Sequence, residues 1–148
     1  MNDVDKMNRL GAMAAVLIYV MCIMIFATRL IKMPRIGYWI GGVLIMMVFP
    51  LGHLLITAPK LGRPTLYYIQ IGLMIVYLVV ELLLDYILEF NFREVRWMVI
   101  SYVTLFFAAT GGMLGVASKA GPGYMIISVV LYLIMGALAF YQRAVTGM

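Results

Sequence analysis

Three carboxylates, Glu81, Asp85 and Glu89, recur every four residues inside an otherwise apolar run, TLYYIQIGLMIVYLVVELLLDYILEF, at positions 65–90. On a helix this spacing stacks all three along one face. The run is long enough to cross a bilayer, where a charged side chain costs about 3 kcal/mol or more unless it faces protein or water. Glu81, the deepest of the three, is therefore the strongest candidate for a proton or cation site. Its structural alternative is a carboxyl hydrogen-bonded to Tyr102 or Ser101, holding two helices in register. Asp85 lies one turn nearer the surface, within reach of Arg29, Arg93 or Arg96, and an ion pair with one of these is expected. Glu89 and Glu94 read as solvated flank residues.

His53 follows Pro50 by three residues in another apolar run. It could line a cavity or meet a metal or quinone; a hydrogen-bonded structural histidine is the plainer reading. One histidine cannot provide bis-histidine haem ligation within one chain. The one cysteine, Cys22, excludes an intrachain disulfide and a Cys-based metal site. The fourteen methionines read as adaptable apolar filler. No phosphate loop, nucleophile motif, zinc motif or nucleotide fingerprint is present. No cofactor is expected.

The elements that must position these groups are membrane helices. The chain has 148 residues, 66% hydrophobic and 11% charged, against about half and about a quarter in a soluble domain. A core this small cannot bury that excess, so the surrounding solvent is lipid. The net charge of +5 does not imply nucleic acid, because the basic residues flank apolar runs. Five spans follow, at 11–28, 38–58, 65–90, 95–117 and 124–141, separated by short breaker-rich turns. Residues 1–10 read as a polar tail, and the first span as a retained helix rather than a signal peptide. The predicted fold is all-α: one domain, a bundle of five antiparallel neighbours.

Local signals refine the bundle. Pro50 should kink the second span. Tyr38, Trp39, Tyr67, Tyr68 and Trp97 suit an interfacial aromatic belt. Gly41 and Gly42 allow close helix approach. So do Ala108, Gly111, Gly112 and Gly115, which form two small-xxx-small pairs in the fourth span.

Five spans put the termini on opposite sides. Side A, with the N-terminus, holds Lys6, Arg9, Lys60, Arg63 and Lys119; side B holds Arg29, Lys32, Arg35, Arg93, Arg96 and Arg143. That count is nearly balanced and allows dual insertion; the first helix favours side B as cytoplasmic, in a plasma or inner membrane. By rise per residue, His53 lies about 8 Å from side A and roughly 15 Å from Glu81 along the membrane normal. Two polar layers result: His53, Gln70, Thr110 and Ser128 towards A; Glu81, Asp85, Ser101 and Tyr102 towards B, with Arg29 and Arg93 at its rim.

Three function classes fit. A non-catalytic subunit or partner-binding component of a membrane complex suits the small size and the lack of motifs. A small oligomeric proton- or cation-coupled transporter would use Glu81. A membrane enzyme acting on a lipid or quinone would use Glu81, Asp85 and His53, which the difference in depth disfavours. The expected partners are the lipid bilayer and either a second membrane protein or further copies of the chain.

Overall fold

Every regular element in the computed structural model is a helix among the residues it describes: 3–62, 64–83 and 96–146. In chain order these are α1 (Asp3–Leu30), α2 (Pro34–Ile45), α3 (Val48–Thr57), α4 (Thr65–Glu81), α5 (Arg96–Ser118) and α6 (Pro122–Thr146), with a 3-10 turn at Pro59–Leu61. Four stretches are long and apolar enough to cross a membrane: Val4–Leu30, Arg35–Thr57, Arg96–Ser118 and Pro122–Val145. The shorter apolar helix α4 has 17 residues, about 26 Å at the standard rise. The protein is a membrane-embedded helical bundle. The expected continuation of α4 to residue 90 lies outside the described residues, and with it Asp85, Glu89, Arg93 and Glu94.

Residues 3–10 are not a tail. α1 begins at Asp3 and carries the polar start of the chain as helix. Nothing before Gly11 breaks a helix, and Met7 and Leu10 pack against the core. At the other terminus α6 runs beyond the apolar segment to Thr146, placing Gln142 in the interior at 1% exposure. Pro34 and Pro122 open α2 and α6 rather than punctuating loops. Proline fits the first helical position, where its missing N–H has no partner to lose.

Between α1 and α2 the chain reverses in three residues. The Met33 amide donates to the Thr28 carbonyl at 2.8 Å and the Lys32 amide to Arg29 at 3.2 Å. This is the paired bonding that closes a helix C-terminus around a left-handed residue. That residue is Lys32, at φ 59°, where glycine is the usual occupant.

Pro50 acts four residues upstream of itself. α2 stops at Ile45 and α3 starts at Val48. A proline ring collides with the carbonyl of the fourth residue before it, here Met46. The chain tightens there instead, with the amides of Met47 and Phe49 reaching the carbonyls of Leu44 (3.0 Å) and Met46 (3.2 Å).

α1, not α4, is the centre of the bundle. It packs on α2, α3, α5 and α6, while α4 lies against α5, α3 and α2. The buried face of α1 is Ala12, Ala15, Ile18, Tyr19 and Cys22, a helical stripe. α4 turns Tyr67, Ile71, Met74, Tyr77, Leu78 and Glu81 inward. Tyr67 is thus a core residue rather than a member of an interfacial belt. Tyr38 and Trp39 at the start of α2, Trp97 at the start of α5 and Tyr141 near the end of α6 are exposed. All four lie at the B end and form the aromatic belt expected where a bundle meets the headgroups.

The four small residues of α5 do not share one contact. A β-carbon at Gly112 would stand 3.4 Å from the Gln70 Cα, and one at Gly115 would stand 2.9 Å from the Gln70 Cδ. These two glycines bring α5 against α4. Gly111 faces the Tyr132 hydroxyl of α6 instead, at 3.4 Å, and Ala108 is exposed. Residues three and four apart spread across an arc of helix surface, and here two neighbouring helices divide that arc. Gly42 has open space around it. Gly112→Leu is expected to destabilise the fold by about 3 kcal/mol or more, because the inserted side chain must displace backbone. Ala108→Leu should be near neutral. Unfolding in mild detergent measures both, and equal stability of the two variants would refute the assignment.

Candidate functional site

Glu81 closes the inward stripe of α4 and is 8% exposed. Tyr77 sits one turn before it on the same face. Across from them, Tyr102 of α5 donates its hydroxyl hydrogen to the Glu81 Oε2. The Tyr77 and Tyr102 hydroxyls lie 3.0 Å apart, and their rings meet at 5.7 Å. When Glu81 accepts, the chain of donors runs Tyr77, Tyr102, Glu81. A protonated Glu81 is served by the same atoms with the direction reversed, since each tyrosine oxygen both donates and accepts.

Aromatic contacts carry this cluster across the bundle. Tyr77 packs on Phe106 at 5.3 Å, and Phe106 meets Phe26 of α1 edge-on at 5.9 Å. Phe106 also touches Phe107, which stacks on Phe140 of α6 at 5.5 Å and 11°. Four helices are thereby pinned around one space.

That space is a cavity of about 100 Å³. Its walls are apolar and largely aromatic, with Phe26, Phe106, Phe107 and Phe140 from three helices. Its polar lining is Glu81, Tyr77, Tyr102, Gln142, Arg29 and Arg143. Cys22 lies in the lining as well. Arg29 is half-buried, its guanidinium carbon 5.8 Å from the Phe26 ring centre. Arg143 is exposed. The lining segments of α1, α4, α5 and α6 come from the B half of their helices, and Leu44, at the far end of α2, closes the cavity from the middle of the bundle. The A half is closed, its Ala12, Ala15, Leu51, Leu54, Ile71 and Met113 buried to 1% exposure or less. The cavity therefore has one polar end, just inside the aromatic belt.

The candidate residues separate accordingly. Glu81, Tyr102 and Arg29 meet at the cavity. Arg96 is exposed at the first position of α5 and does not line it. Asp85 and Arg93 lie outside the described residues. His53 is exposed on α3 in the A half, its carbonyl accepting from the Thr57 hydroxyl at 3.0 Å. It shares no site with Glu81, so the trio Glu81, Asp85 and His53 has no common centre among the described residues. Gln70 is taken up by the glycines of α5. Ser101 is exposed. Thr110 bonds back to Phe106 at 2.7 Å, and its own carbonyl accepts from Tyr19. Ser128 is buried without a hydrogen-bond partner for its hydroxyl among the described residues. No cluster of three or more His, Cys, Asp or Glu that could hold a metal ion occurs among the described residues.

Four cavity residues escape a reading of spacing by depth: Tyr77, Cys22, Gln142 and Arg143. Tyr77 carries a signal, standing four residues before Glu81. Gln142 and Arg143 carry none, because the apolar run ends at Tyr141.

Tyr102→Phe removes a hydrogen-bond donor from a buried carboxyl and is expected to cost about 1–2 kcal/mol. Ser101→Ala, one residue away but exposed, should change stability by less than about 0.5 kcal/mol. Chemical unfolding of both variants in the same detergent tests this; equal losses would remove Tyr102 from its role.

Comparison of the chain with family models, with curated proteins and with solved structures gives no match.

Proposed function

We propose that the protein is a non-catalytic membrane component, acting alone or as a subunit, that holds an amphiphilic molecule in the Glu81 cavity. The observation that supports this reading is the arrangement of the cavity along the membrane normal. Its hydrogen-bonding and charged groups gather at the B end, level with the aromatic belt, and phenylalanines line the rest. Amphiphiles in a bilayer are arranged the same way, polar at the belt and apolar below it. A binding role also suits the packing of the A half, where the described core side chains are buried.

Photo-crosslinking tests the reading. A lipid with a diazirine beside its headgroup, incorporated with the full-length protein into liposomes, is expected to label peptides from 99–107 and 139–143 above all others. Ala139→Phe, which fills the cavity, should suppress that labelling. Labelling spread evenly over the outward faces of α1 and α6 would reject a binding cavity.

A second reading, proton- or cation-coupled transport by an oligomer, is favoured by the donor chain from Tyr77 through Tyr102 to Glu81. Such chains hand protons along oxygen atoms and recur in intramembrane relays. Under this reading Glu81→Gln abolishes flux in liposomes loaded with a pH-sensitive dye while the fold survives. Undiminished flux in that variant would exclude Glu81 as the carrier.

A further inference from the structure

Among the described residues that line the cavity, two are arginines and one is a carboxyl. Arg29 and Arg143 face it together with one carboxyl, Glu81, and that carboxyl is engaged by Tyr102. Among the described residues neither arginine forms an ion pair; the recorded contact of Arg29 is with the face of Phe26. A half-buried guanidinium carries a desolvation cost that a bound anion offsets. Guanidinium is planar, always charged and presents donors in a fork that matches phosphate oxygens two at a time.

We propose that the cavity is a binding site for the phosphate of a phospholipid, with Arg29 and Arg143 holding the head and the acyl chains leaving past Phe140. The proposal rests on the reading of the cavity as an amphiphile receptor and names the head it selects. Three observations point to a lipid rather than a free anion. The arginines stand at the level of the aromatic belt, where lipid phosphates lie. The cavity continues from the arginines over Phe107 and Phe140, and Phe140 is 64% exposed at the bundle surface. An anion alone would have no use for that aromatic path. The volume of about 100 Å³ admits a headgroup and its first carbons but not two acyl chains, so the chains must remain in the bilayer.

Native mass spectrometry of the full-length protein, delipidated in neutral detergent, tests this with three added probes: phosphatidylglycerol, diacylglycerol with the same chains, and inorganic phosphate. One phosphatidylglycerol is expected to survive activation that strips other lipids, with diacylglycerol held about tenfold more weakly or worse. The double variant Arg29→Gln/Arg143→Gln should erase that preference, whereas Lys60→Gln, at the opposite end, should keep it. Thermal unfolding of each variant confirms the fold, and should Ala139→Phe fail to fold, the arginine pair carries the test alone. Equal retention of diacylglycerol, lost in Ala139→Phe but indifferent to the arginines, would overturn the phosphate assignment and leave the amphiphile cavity standing. Retention of several lipids regardless of any variant would overturn both. Displacement of the lipid by millimolar inorganic phosphate would show a free-anion site and overturn the choice of lipid.

Discussion

A carboxyl group inside a thin helical bundle has to be given hydrogen-bonding partners by the helices beside it, and in this protein that requirement fixes α4 against α5. Glu81 and Tyr102 set the contact at the B end. Gln70, seated over Gly112 and Gly115, sets it at the A end. The two contacts agree in register, as an antiparallel pair demands. A slide of one helix by a turn would leave a carboxyl without its donor and carry the glutamine off Gly112 and Gly115. Interhelical hydrogen bonds in membranes average only about 0.6 kcal/mol, so the polar contact selects a register while close packing supplies most of the adhesion.

The aromatic residues convert that one interface into a bundle. Phe106 is the hub: it touches Tyr77 of α4, Phe26 of α1 and its own neighbour Phe107, and Phe107 reaches Phe140 of α6. Edge-on and offset rings hold their neighbours at 5–6 Å, farther apart than small side chains would. The A half, rich in alanine and glycine at its contacts, closes completely. The B half, spaced by rings, keeps a cavity. The difference between the two halves thus follows from side-chain size at the contacts of the same helices.

Much of this was legible in the residues. Apolar runs and breakers give the helical membrane bundle, whereas Tyr67, which suits an interfacial belt by its position, faces the core together with Ile71, Met74, Tyr77 and Glu81. Depth along the helices is enough to bring Tyr102 opposite Glu81. Rotation about each helix axis is where such reasoning fails. Ser101 and Tyr102 are adjacent and equally deep, yet one is exposed and the other bonded. Gly111 and Gly112 are adjacent and serve different helices. His53 was readable as intramembrane but not as outward-facing, because apolar surroundings on every side give its helix no polar face to mark the exterior. Helix ends fail for a different reason. Gln142 and Arg143 follow the apolar run, and only a helix that continues through them turns Gln142 back into the interior.

The closed A half has a consequence for which part of the membrane the cavity can sample. Under the proposed amphiphile-binding reading, a guest that enters at the polar B end comes from a single leaflet. Its exchange is then governed by the composition of that leaflet and is blind to the other. Insertion direction, which in many small membrane proteins matters little, becomes a functional variable: the same bundle inverted would read the opposite leaflet. With five basic residues expected on side A and six on side B, a few charge changes in the short turns would be enough to reverse insertion and, under that reading, the lipids the protein meets.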